Sequence, residues 1–133
     1  MYGTTMKNKD FENESVLVYQ HRMFGGELHD VLMVLPSKID INQGKSIENG
    51  ILGYFSKKSR ENRGPYKVIL NLEKVEDIDN SAKDTLKNSI KIMYNLSNNA
   101  GYGLVRITGS NNNVEQKLKE FEIEGLASII SKN

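Results

Sequence analysis

One stretch decides the fold of this 133-residue chain: Lys67-Val-Ile-Leu-Asn-Leu-Glu-Lys-Val-Glu-Asp-Ile-Asp-Asn-Ser-Ala82. Its first part, 68–72, is a short apolar run of the length typical of a buried strand. A polar loop follows, in which Val75 and Ile78 are apolar anchors, and Asp79-Asn80-Ser81 marks the start of a helix. The functional loops of open α/β sheets lie at the carboxyl ends of the strands, so this loop is a candidate site.

The stretch lies within a regular alternation of strands and helices. Hydrophobic periodicity predicts strands over 15–19, 31–35, 68–72, 104–108 and 126–130, and helices over 43–58, 81–96 and 113–121. A turn at Phe24-Gly25-Gly26-Glu27 is predicted to join the first two strands into a hairpin. The order β-β-α-β-α-β-α-β predicts an α/β fold, with a mixed, mostly parallel sheet, an antiparallel edge and helices packed mainly on one side.

The composition fits one folded domain preceded by a tail. Hydrophobic residues make up 38% of the chain, which is enough to build a core in a domain of this length. Residues 1–14 are polar and predict a poorly ordered N-terminal tail. The folded domain is therefore predicted to span residues 15–133, and no repeat or linker indicates a second one.

The composition also excludes several classes of function. The 18 lysines and arginines balance 17 aspartates and glutamates, and the net charge of +1 provides no basic surface for nucleic acid. The chain has no cysteine and only two histidines, His21 and His29, so we expect no thiol nucleophile, no metal site and no cofactor. No apolar run is long enough to cross a bilayer and no secretory signal is visible, which predicts a cytoplasmic protein that is not inserted in a membrane.

The polar residues of the loop have a structural interpretation. Ser81-Ala-Lys-Asp84 approximates a capping box in which Ser81 caps the helix, and Asp79 and Asn80 are alternative caps. Asp40 is a candidate cap for the first long helix in the same way. Asp77 and Asp79 form a pair of carboxylates, but no nucleophile or histidine accompanies them, so solvated loop charges are favoured over acid–base catalysis.

Three motifs resemble those of the STAS domain family, whose best-known members are bacterial anti-sigma factor antagonists. The family's strand V-x-L-D-L and helix start I-D-S-[ST]-G-L resemble Val68-Ile-Leu-Asn-Leu72 and Ile78-Asp79-Asn80-Ser81. The motif G-x-L-D that ends the family's second strand resembles Ser37-Lys-Ile39-Asp40, and the ending F-x-x-x-G-L-x-x-I-I resembles Phe121 to Ile130. These motifs occur in the family's order and, with the elements between them, cover nearly the whole chain.

The resemblance implies a phosphorylation switch in a protein-binding domain. The phosphoacceptor of the family corresponds to Ser81. The expected partner-binding surface consists of the surrounding loop and helix-start residues: Asp79, Asn80, Ala82, Lys83, Asp40 and Asn42. A phosphate on Ser81 adds about −1.5 to −2 charges, which the start of a helix tolerates and a docked partner does not.

The function implied by the resemblance is that of an anti-sigma factor antagonist and not of an enzyme. The unmodified domain captures an anti-sigma factor that is also an ATP-binding serine kinase, and a sigma factor is thereby freed for transcription. Phosphorylation of Ser81 ends the capture, and a serine phosphatase restores it. The motif's serine, glycine and leucine are Asn80, Ala82 and Lys83 here, and these departures concern the partner and the use of Ser81 rather than the fold.

Two other interpretations remain open. A STAS docking subunit of a stress-sensing complex or of a membrane lipid-transport ATPase binds its partner through the same helix face without phosphorylation. A small enzyme or nucleotide-binding protein of flavodoxin-like shape is less favoured, because no glycine-rich phosphate loop opens a helix and no nucleophile–base pair is visible.

Overall fold

The computed structural model describes residues 5–23, 28–60, 67–99 and 101–130, and the glycine turn predicted at 24–27 lies outside them. In chain order the described elements are β1 (Thr5–Glu12), β2 (Leu17–Met23), β3 (Leu28–Val34), β4 (Lys38–Ile39), α1 (Ile41–Arg60), β5 (Lys67–Asn71), β6 (Asp77–Ile78), a 3₁₀ turn (Asn80–Ala82), α2 (Lys83–Asn99), β7 (Val105–Thr108), α3 (Asn112–Glu120) and β8 (Ala127–Ile130).

The main sheet has six strands in the order β1-β2-β3-β5-β7-β8. The strands β1, β2 and β3 are antiparallel neighbours, whereas β3, β5, β7 and β8 run parallel. Each parallel step is made through one of the three helices, because a parallel connection needs a crossover. The predicted α/β fold, with a mostly parallel sheet and an antiparallel edge, is confirmed.

The apolar core lies between one face of the sheet and the helices. In the central strand β5 every second residue, Val68 and Leu70, is buried. The apolar stripes of α1 and α2 cover this face with Ile47, Ile51, Tyr54, Phe55, Leu86, Ile90 and Met93. Burying one such side chain stabilises the fold by about 1.5–3 kcal/mol. On the opposite face Ile69 is only half-buried and Arg106 is exposed, so the helices pack mainly on one side, as predicted.

Residues 5–12 form β1, which differs from the predicted polar tail. The strand pairs with β2, and the register shifts between Lys9 and Phe11. Phe11 packs edge-on against Tyr54 of α1, with ring centroids 6.0 Å apart. The strand is hard to detect in the sequence because an edge strand has few apolar contacts, and its anchoring residue Asp10 is a charge whose partner lies far along the chain.

Asp10 belongs to a polar cluster between β1, β2 and α1. Lys58 Nζ lies 2.6 Å from Asp10 Oδ2, and Gln20 Nε2 donates to the same oxygen at 2.7 Å. Partial burial raises the pKa of Asp10, but hydrogen bonds from Lys58, Tyr54 and Gln20 and the charge of Lys58 outweigh it and hold the pKa below its ordinary value. Because only 3% of the Lys58 side chain is exposed, the pair ties β1 to α1 inside the fold.

Candidate protein-docking site

Loops that follow β3 and β5 meet at the carboxyl edge of the parallel strands. The short strands β4 and β6 join the two loops as a parallel ladder, in which Ile39 pairs with Ile78. The Asp79 amide then donates to the Ile39 carbonyl at 2.8 Å. This bond brings Asp79 next to the segment that contains Asp40, although the two aspartates are far apart in the sequence.

Buried apolar side chains fix the backbone of these loops. Val75 and Ile78 are buried, as predicted for anchors, and so are Ile39 and Leu72. The polar residues between the anchors are exposed. The loops therefore have a defined backbone while their polar side chains remain at the surface.

Gly44 allows α1 and α2 to begin close to each other. A Cβ at Gly44 would overlap Thr85 Oγ1 and would lie 3.4 Å from the Cβ of Ala82. The missing side chain therefore lets the first turn of α1 approach the 3₁₀ turn that precedes α2. Asp40 and Ser81 lie on these two adjoining helix starts.

Ser81 is the second residue of the 3₁₀ turn and is exposed. Its hydroxyl donates to Asp79 Oδ2 at 2.9 Å. The capping box predicted for Ser81 and Asp84 is wrong, because Asp79 holds the N-cap position and the turn has begun before Ser81. Asp79 itself makes no side-chain cap hydrogen bond. The hydroxyl therefore donates its proton to a carboxylate at the surface of the turn.

Asp40 caps α1, which confirms its structural interpretation. Its Oδ1 accepts from the Gln43 amide at 2.9 Å, and its carbonyl accepts from the Gly44 amide at 2.8 Å. The next residue, Ile41, is 44% exposed, and Asn42 is also exposed. Ile41 is not among the predicted site residues, because the position of an apolar residue at a helix start does not show which way its side chain faces.

The start of α3 also holds the loop after β5. Asn111, the N-cap of α3, accepts from the Val114 amide at 2.8 Å. Its own side-chain amide donates to the Val75 carbonyl at 3.3 Å. An asparagine before an apolar-periodic run is a recognisable cap in the sequence, but the contact with Val75 is not recognisable because it joins distant segments.

Two further side chains of α3 contact the exposed part of this loop. Asn113 donates to Asp77 Oδ1 at 3.0 Å, and Lys117 donates to Asn80 Oδ1 at 2.7 Å. Neither residue was predicted, since nothing in the pattern of α3 indicates which loop the helix faces. The helix α3 therefore forms one side of the site.

Comparison with known proteins identifies the fold. No protein-family model and no curated protein matches the chain. Among solved structures, the chain is similar to a Thermotoga maritima protein provisionally described as an anti-sigma factor antagonist, with a TM-score of 0.52 and 20% identity over 76% of this chain and 80% of that chain. The chain has the STAS fold. A likeness to the MdcD–MdcE heterodimer of a Pseudomonas malonate decarboxylase has a TM-score of only 0.43 and 16% identity, over 96% of this chain and 72% of that one.

On this STAS fold, all but one of the predicted site residues are exposed on adjoining loops and helix starts. We define the docking face as the exposed residues Asp40, Ile41, Asn42, Asp79, Asn80, Ser81 and Lys83. Ala82 is the exception, because it is 0% exposed and lies beneath the face. Its predicted role as a partner-binding residue is therefore corrected: the small side chain serves the packing of the 3₁₀ turn against Gly44.

The docking face presents a serine hydroxyl beside a carboxylate. Among the residues that the structure describes, no three carboxylate, imidazole or thiol side chains are grouped so that they could hold a metal ion. The side chains of His21 and His29 lie outside that description. None of the described helices is long and apolar enough to cross a membrane.

Proposed function

We propose that this chain is an anti-sigma factor antagonist, a binding domain whose docking face captures an anti-sigma factor and so frees a sigma factor for transcription. The observation that carries the proposal is the exposed Ser81 hydroxyl, 2.9 Å from Asp79 Oδ2 at the carboxyl edge of a STAS fold. The provisional description of the similar Thermotoga maritima protein supports the same assignment. The domain acts in the cytoplasm by binding, without a cofactor or nucleic acid.

Phosphorylation of Ser81 is the proposed switch, with the anti-sigma factor as an ATP-binding serine kinase. The Ser81 oxygen forms a bond to the γ-phosphorus of ATP as the bond to ADP breaks, and the hydroxyl proton passes to a base of the kinase. The phosphate adds about −1.5 to −2 charges beside Asp79 and near Asp40. Like charges brought into an interface cost several kcal/mol, so the partner dissociates until a serine phosphatase removes the phosphate.

The docking face has a composition that suits a protein partner. Ile41, 44% exposed, provides an apolar contact between the polar residues Asp40 and Asn42. An apolar centre surrounded by polar groups is the usual anatomy of a protein–protein interface. Because buried anchors fix the loop backbone, little ordering is required when a partner binds.

Phosphosite mapping by mass spectrometry tests the switch. In protein isolated from its own cells, Ser81 should carry phosphate to an extent that changes between growth and stress. Ser81→Ala should still capture a protein that contains an ATP-binding serine kinase domain, whereas Ser81→Asp should lose it. Ser81 found unmodified in every condition, with good peptide coverage, would refute the switch.

Lys83 favours a second candidate function, that of a docking subunit without a phosphorylation switch. The residue is exposed next to Ala82, where the family motif has an apolar contact residue. A partner suited to Lys83 offers a carboxylate in place of an apolar pocket. The setting is then a stress-sensing complex or a membrane lipid-transport ATPase. In this case Ser81→Asp leaves capture unchanged, and the captured proteins are subunits of such an assembly.

A further inference from the structure

We infer that Lys117 of α3 is the receptor for a phosphate on Ser81, so that the modified domain pairs its own phosphate with α3. The inference rests on the proposed function, because it assumes that Ser81 is the regulated residue. The helix α3 then takes part in the switch, which the motifs around Ser81 do not predict. The ligand class is a covalently attached phosphate monoester.

Lys117 is held at the border of the docking face by an uncharged group. Its Nζ donates to Asn80 Oδ1 at 2.7 Å, and Asn80 is the residue before Ser81. Within the described part of the chain Lys117 forms no ion pair, whereas Lys119 of the same helix pairs with Glu115 at 3.3 Å. An ammonium bound to a neutral amide gains more from an arriving dianion than one that is already neutralised.

A phosphate on Ser81 lies within reach of this ammonium. Neighbouring Cα atoms are only about 3.8 Å apart, so the phosphate is attached one residue from the present partner of Lys117. The lysine stem is flexible and its ammonium has three donors, so Nζ can exchange the amide oxygen for a phosphate oxygen while α3 stays in place.

Lys83 is the competing cation, because it is exposed and lies two residues after Ser81. Lys117 is favoured over Lys83 for a physical reason. Its side chain is half-buried and its ammonium is already positioned by Asn80, so less conformational entropy is lost when it pairs with the phosphate. Pairing with Lys117 also releases the Asn80 side chain, which changes the docking face at a second position.

Phosphorus NMR tests the inference on the full chain with phosphoserine incorporated genetically at position 81. A nearby ammonium favours the dianion and lowers the second pKa of the phosphate. Lys117→Met should therefore move the phosphate titration to higher pH, whereas Lys119→Met should leave it unchanged. The inference is overturned if Lys117→Met has no effect, or if Lys83→Met moves the titration in its place.

Thermal unfolding gives an independent measurement. The phosphate should lower the melting temperature more in Lys117→Met than in the unchanged chain. Comparing the four proteins as a double-mutant cycle measures how much the pairing with phosphate exceeds the hydrogen bond to Asn80, because Lys117→Met loses that bond only in the unphosphorylated chain. Equal effects of the phosphate in both backgrounds contradict the inference. Because the phosphate is installed without a kinase, this result is separate from the cellular phosphosite mapping that tests the proposed function.

Discussion

Gly44 lies where the first turn of α1 meets the start of α2, and it determines how closely the two parts of the docking face approach. Gly44→Ala places a Cβ in the space of Thr85 Oγ1, which donates to the Ala82 carbonyl at 3.1 Å. We expect the free energy of unfolding to fall by about 1–3 kcal/mol, measured by urea denaturation. The control is Gly53→Ala in the same helix, where a Cβ meets nothing within 4 Å. Because alanine is the better helix former, the control should gain about 0.5–1 kcal/mol, and a similar gain at Gly44 would contradict the packing argument.

Asp10 makes the stability of the fold depend on pH in the acid range. Its folded-state pKa is depressed below the ordinary value of about 3.9, so its contribution is present above the unfolded pKa and is lost as pH falls through the folded pKa. Asp10→Asn should lower the free energy of unfolding at pH 7 by about 3 kcal/mol, because buried Lys58 loses its ion pair. The difference should shrink as pH falls below about 4, because Asp10 begins to take up a proton there in the unfolded chain and does so at lower pH in the folded chain.

Denaturant unfolding at pH 7 and pH 3 checks this expectation. Glu12→Gln on the same strand is the control, since its ion pair with Lys9 is exposed and should contribute little at either pH. A destabilisation by Asp10→Asn that is equally large at both pH values would show that the Asp10 charge is not its cause.

The helix α3 stabilises the loop after β5 through its N-cap, Asn111. Asn111→Ala removes both the cap bond to Val114 and the bond to the Val75 carbonyl. We expect a loss of about 1 kcal/mol in unfolding free energy and faster amide hydrogen exchange over 75–79. Asn112→Ala, at the exposed first residue of α3, is the control and should leave the exchange of this loop unchanged. Equal protection of the loop in both variants would mean that α3 does not hold it.

Elements with an apolar period of their own could be predicted from the sequence, whereas elements that depend on a distant partner could not. The stripes of α1 and α2 and the apolar run of β5 indicate their structure locally. The strand β1 is mostly polar and is anchored by Lys58, and β4 and β6 are two residues long and exist only through their pairing with each other. The same distinction holds in the site: a motif indicates Ser81, but only the fold brings Lys117 to Asn80.

The capping prediction at Ser81 is wrong because local sequence patterns do not include long-range contacts. Serine followed by an acidic residue three positions later is a common helix start, and the spacing at Ser81 and Asp84 fits it. In the fold the turn begins earlier, because the Asp79 amide is bonded to the Ile39 carbonyl of the neighbouring loop and Ile78 is buried. A long-range contact therefore decides where the helix starts, and the Ser81 hydroxyl donates to Asp79 at the surface instead of capping the helix.

The docking face lies at the carboxyl edge of the sheet and the core lies beneath the helices, so we expect a change in partner capture to be separable from a change in stability. Ile41→Ser should weaken capture of the kinase-type anti-sigma partner about fivefold without changing the melting temperature, because it removes roughly 1 kcal/mol of apolar contact from a half-exposed side chain. Leu52→Ser is a matched control on α1, since Leu52 is 45% exposed against 44% for Ile41 but lies three turns from the docking face. Affinity capture from the protein's own cells, quantified for proteins with an ATP-binding serine kinase domain, gives the comparison. If Leu52→Ser weakens capture as much as Ile41→Ser, the partner binds along α1 and the docking face is misplaced. If only Ile41→Ser weakens capture, the start of α1 belongs to the interface. The apolar side chain of Ile41, next to Asp40, then contacts the partner.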